Sequence, residues 1–125
     1  MALQFDVNLR NSMLDAIELN IGGSPILRIR TGAPPATVAD ADTGTVIAEM
    51  TLPADWMEAA ANGVKSKTGT WQDLSADASG IAGHFRIYHS GGTAIIQGTA
   101  GETADTPDMV LDNKTINAGQ QVTVN

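Results

Sequence analysis

Near the N-terminus the apolar positions recur at helical spacing. Leu9, Met13, Ala16, Ile17 and Ile21 lie three or four residues apart, and Leu14 widens the same arc. Asn11, Asp15 and Glu18 fall on the opposite side, where an amphipathic helix meets solvent. Asp6 or Asn8 can cap the first turn, and Gly22-Gly23 supplies a left-handed stop with Pro25 just beyond. The pattern predicts a helix over about residues 8–21. Its stripe of Leu9, Met13, Ile17 and Ile21 is expected to pack into the core, so that Ile17→Ala costs roughly 2–4 kcal/mol.

After Gly23 the period shortens to two. ILRIR (26–30) sets Leu27 and Ile29 against Arg28 and Arg30, the alternation of a half-buried strand. TGAPP (31–35) is a turn cluster and VADADTG (38–44) a polar loop, followed by a second strand, TVIAEMTL (45–52), ended by Pro53. DWMEAAANG (55–63) reads as a helical turn or two, or an irregular connection, and VKSKTGTWQDL (64–74) as a strand broken at Gly69. GIAGHFRIYH (80–89) and TAIIQG (93–98) form a hairpin whose Gly91-Gly92 takes the positive φ angles of a tight turn. Residues 99–108 are a loop, and Met109-Val110-Leu111 and QVTVN (121–125) are short strands around a turn at Asn117-Ala118-Gly119. One helix followed by short strands, with no strand–helix alternation, predicts one mainly β domain over residues 1–125. The expected form is an antiparallel β-sandwich, or jelly roll.

Charge narrows the function. Fourteen acids against seven bases give a net charge of −7, which argues against a nucleic-acid surface and against docking on an anionic membrane. No apolar run approaches the ~18 residues that span a bilayer, and no basic stretch with an apolar region marks a signal peptide. The absence of cysteine excludes disulfides, thiolate metal sites and thiol catalysis.

The remaining candidate chemistry is thin. His84 and His89 lie five apart on one strand and point to opposite faces, so they do not share a metal; each reads as a surface or strand-edge imidazole. Asp40, Asp42 and Gly44 open a D-x-D-x-G calcium pattern. The register then puts Thr51 at the twelfth position, where a bidentate acid belongs, so a solvated turn is the expectation. Asp55 and Glu58 read as charge decoration, as do Glu102, Asp105, Asp108 and Asp112 along an acidic edge. No serine sits in a Gly-x-Ser-x-Gly context. Phe85 shares a face with Ile87 and belongs to the core, whereas Tyr88 lies with His84 and Arg86. Trp56 plugs one end of the sandwich, and exposed stacking of Trp56 on Trp71 would favour sugar binding. No catalytic residue, cofactor or specific metal is expected.

Taken in order, several stretches resemble small virion proteins encoded beside the major capsid protein in tailed bacteriophages. They are LRNSMLDAIELNIG (9–22), SPILRIRTGAPP (24–35), EMTLPADWMEAAANG (49–63), GIAGHFRIYHSGGT (80–93), IIQGTAG (95–101) and DMVLDNKTINAGQQVTV (108–124). The resemblance implies a non-enzymatic capsid decoration, or cementing, protein with a jelly-roll-like sandwich. Such a protein is made in the host bacterial cytoplasm and binds the outer surface of the shell. Its partners would be the major capsid protein of the same phage and itself, as a homotrimer or homodimer. The alternatives are a tail or fibre component, including a host-glycan adhesion module, and a small hydrolase. The ILRIR and QVTVN strands are the expected open sheet edges. Leu27, Ile29, Val122 and Val124 are therefore the candidate interface residues, and deletion of 121–125 is expected to abolish particle binding.

Overall fold

The computed structural model of the chain describes residues 2–125. The Asp6 carboxylate accepts the Asn8 backbone N–H at 2.9 Å and starts helix α1, Val7–Ile21. Gly22, at φ +82°, ends the helix by donating its N–H to the Glu18 carbonyl.

Strands β1 (Ile26–Thr31), β2 (Val46–Thr51), β3 (Trp71–Asp73), β4 (Gly80–Tyr88), β5 (Ala94–Gly101), β6 (Met109–Val110), β7 (Thr115–Ile116) and β8 (Val122–Val124) follow. The larger sheet runs β2-β1-β4-β5-β6, with β7 pairing the start of β4; β3 and β8 form a second, two-stranded sheet. The protein is mainly β with one N-terminal helix, and both sheets feed one core. The pairing departs from the expected antiparallel pattern at one place, because β6 lies parallel to β5. The short 3-10 turn at Thr103–Asp105 brings the chain back in the same direction for just two residues of pairing.

Core residues follow the predicted alternation. Leu27 lies between Met50 and Ile87, and Ile29 between Ala48 and Phe85, and all six are buried. Trp71, Val122 and Val124 from the second sheet join the same cluster, with Trp56 entering from the irregular 55–70 connection. That connection closes on itself through bridges Met57↔Lys67 and Ala61↔Val64, so the strand expected over 64–74 shrinks to β3.

The helix is turned the other way from the sequence expectation. Its polar side faces the protein: Asn11 Oδ1 accepts the Gly63 N–H at 2.8 Å, and Asp15 Oδ1 accepts the Ala60 N–H at 2.9 Å. Lys65 Nζ sits 2.7 Å from Asp15 and 3.0 Å from Glu18. Burial works against the Lys65 charge, but the two carboxylates outweigh it and raise its pKa; the bond from Lys65 lowers that of Asp15. Backbone N–H groups of an irregular loop lack ladder partners, and this helix face supplies acceptors for them. Only Ile21 of the helix is buried; Leu9, Met13 and Ile17 stay 49%, 51% and 38% exposed. Ile17→Ala is therefore expected to cost under about 1 kcal/mol in urea melts, against about 2–5 kcal/mol for Ile29→Ala in the core.

Candidate functional site

The second face of the large sheet carries Arg28 and Arg30 on β1, His84, Arg86 and Tyr88 on β4, and Gln97 on β5. Arg86 is only 2% exposed and Tyr88 equally so. They are covered by the 32–44 segment, which crosses this face as a strap. Its carbonyls have no ladder partners and need donors, which a guanidinium supplies in number. Arg86 Nη1 donates to the Asp40 carbonyl at 3.0 Å and to Asp42 Oδ1 at 2.8 Å. Its Nη2 donates to the Thr37 carbonyl at 3.1 Å, and Nε and Nη2 both reach Gln97 Oε1. Gln97 Nε2 in turn donates to the Pro35 carbonyl at 2.8 Å.

Asp42 is the hub. Its carboxylate accepts from Arg86, from Tyr88 Oη at 2.6 Å and from Arg30 Nη2 at 3.0 Å. Burial pushes this carboxyl up, but the Tyr88 hydroxyl and the Arg86 and Arg30 guanidiniums outweigh it, so its pKa lies below the usual carboxylate value. Arg28, beside this cluster, pairs with Glu49 at 2.7 Å and lies over the Tyr88 ring, 4.6 Å from its centroid.

The structure separates the sequence candidates. In the calcium-like pattern, Asp42 is spent on two arginines and a tyrosine, and the Asp40 carboxylate accepts the Thr37 N–H at 2.8 Å. Gly44 is needed for backbone reasons: φ is +69°, and a Cβ there would collide with the Thr31 carbonyl. Asp42 is thus an ion-pair centre under a strap rather than part of a solvated turn.

His84 is fully buried, not at a strand edge. Its Nδ1 lies 2.9 Å from the Gly32 carbonyl, which only accepts, so Nδ1 carries the proton and holds the start of the strap. His89 stays exposed in the β4–β5 turn, accepting the Gly91 N–H. Trp56 and Trp71 do meet, with ring centroids 5.8 Å apart and planes tilted by 40°, but both are buried and offer no platform for a sugar. Asp55 and Glu58 are exposed, as expected of decoration. The acids along the expected acidic edge do more than face water. Asp105 pairs with Lys114, and Asp108 and Asp112 accept the N–H groups of Thr99 and Thr123.

The candidate interface residues are corrected. Leu27, Ile29, Val122 and Val124 are all buried in the core. ILRIR is a central strand between β2 and β4, because its apolar face is wanted inside. The uncharged C-terminal strand pairs with β3 and bridges Leu111, which uses its pairing capacity within the chain. Deleting 121–125 would therefore damage the core rather than remove a contact surface.

Arg30, Arg86, Tyr88 and Gln97 were not singled out as a site from sequence. The available signal was arginine at alternate positions of apolar strands, which marks a polar sheet face but not whether something covers it. A recess of about 240 Å³ opens between the strap and the β4–β5 turn, floored by Arg86 and Tyr88. Their donors are already committed to the strap and to Gln97, so the arrangement clamps a loop. No family model, curated protein or solved structure matches the chain, so the arrangement is read from its own geometry.

Proposed function

We propose that the protein is a non-enzymatic structural component of a tailed-phage virion, decorating and cementing the outer surface of the capsid through a jelly-roll-like scaffold. Its partner in this reading is the major capsid protein. The observation that carries it is the closed polar hub. The densest set of charged side chains, Arg30, Asp42 and Arg86 with Tyr88, is spent on the chain's own 32–44 segment. Such a clamp holds a surface loop in one shape, as a protein that presents a fixed face to a shell requires. The resemblance of the 9–22, 24–35, 49–63, 80–93, 95–101 and 108–124 stretches to capsid-adjacent virion proteins supports the location.

The test is occupancy. Purified protein added to capsids stripped of accessory proteins is expected to bind saturably, with copies per particle read by gel densitometry and its position on the outer shell by electron microscopy. Recovery with tails only, or no saturable binding to the shell, overturns the reading.

A further inference from the structure

The outward face of α1 has no packing partner among the described residues. Leu9, Met13 and Ile17 are exposed along it, Ile95 of β5 is exposed beside it, and Phe5 is exposed on the segment leading into the helix. Between helix and strand lies an apolar groove of about 470 Å³, lined by Met13, Ala16, Ile17 and Ile21 on one side and Ile95 and Ile96 on the other. The face therefore holds both a ridge, Leu9-Met13-Ile17, and a groove running alongside it. Helices of soluble proteins place such a stripe against something apolar.

We propose that this face is where a second copy of the chain packs, in an isologous contact centred near Met13. Three observations select a second copy. First, the face carries a ridge and a groove side by side, so a two-fold axis running between them would set each copy's ridge into the other's groove. Second, its area fits. The five exposed side chains are 38–51% exposed. At roughly 200 Å² for a fully exposed residue of this size, they offer on the order of 400 Å² of apolar surface. One partner of a standard interface contributes about 800 Å², some 60% of it apolar, so these residues with Leu3 nearby in sequence come close to that need.

Third, charge allows contact here. Two chains of net charge −7 repel one another. On this helix, however, both interior acids, Asp15 and Glu18, are turned inward on Lys65. The charged group beside the ridge is Arg10, which lines a recess with Met13 and Leu14 and carries the sign that suits an acidic partner. The inversion of the helix thus does two things at once: it neutralises its acids against the body and presents an uncharged ridge. This self-association stands independently of where the protein works.

The experiment is sedimentation velocity of the full chain over a micromolar concentration series. Wild type is expected to show a concentration-dependent dimer that strengthens as salt screens the repulsion of two acidic chains. Met13→Glu is expected to run as a monomer with an unchanged urea midpoint, since Met13 is half exposed and its loss leaves the fold intact. Leu19→Glu, at a more exposed position outside the groove, is expected to remain a dimer. Because the chain has no cysteine, Met13→Cys gives a single thiol that a short bismaleimide should couple across the axis, whereas Leu19→Cys should not couple. A wild-type monomer across the series, a dimer untouched by Met13→Glu, or coupling at Leu19→Cys but not Met13→Cys overturns the proposal. The first of these outcomes would leave the face for a different protein.

Discussion

Asp42→Ala is expected to destabilise the protein by about 3–5 kcal/mol in urea melts, because it strands a buried guanidinium. Arg86 is 2% exposed, and Asp42 is its only carboxylate partner within salt-bridge distance among the described residues. The same change removes the acceptor for Tyr88 Oη and for Arg30 Nη2. Water reaches about a third of the Asp42 side chain, which places the expected loss toward the low end of that range. Asp40→Ala, two residues away, removes a single bond to the Thr37 N–H and is expected to cost only about 1 kcal/mol. Equal losses at the two positions would show that the hub does not hold the strap.

The pH dependence has the same origin. The folded pKa of Asp42 lies below its usual 3.8, so the native state binds this proton less readily than the unfolded chain does. Its contribution is present above pH 3.8 and is lost as pH falls through the lower folded value. The midpoint of urea unfolding is therefore expected to fall more steeply below pH 4 in wild type than in Asp42→Asn.

Trp56→Ala is the second large effect, about 3–5 kcal/mol. Trp56 is 1% exposed, packs against the Trp71 ring, and donates Nε1–H to the Gly22 carbonyl at 3.0 Å. Truncation opens a cavity in the core and frees the C-terminal end of α1 from the body together. Near-UV circular dichroism and urea melts of the variant report both. A loss under about 1 kcal/mol would mean that the 55–70 connection packs independently of the core.

Much of the local structure was legible in the chain. The Asp6 cap, the Gly22 stop, the alternation of Leu27 and Ile29 and the hairpin turn, in which Gly92 but not Gly91 takes a positive φ, each rest on interactions within a few residues, which periodicity and turn chemistry capture. Strand β7 was missed because two residues, Thr115 and Ile116, are too few to show a period. The candidate site was barely legible. Asp42 was visible as an acid in a calcium-like pattern, but its partners lie 12, 44 and 46 residues away along the chain.

The sequence by itself determined, to within a residue or so, the limits of α1, β1, β2 and β4 and which of their side chains share a face, since both follow from backbone geometry over one or two turns or a few pleats. Only the tertiary structure decided which face goes inward. For α1 the inward face is polar, because the 60–65 loop needs acceptors for its N–H groups and a carboxylate for Lys65. For β1 and β4 both faces are covered, one by the core and one by a strap that satisfies its carbonyls on Arg86 and Gln97. ILRIR became central rather than an edge for the same kind of reason: strand order depends on which long-range pairings bury the most apolar surface, and no local pattern encodes that.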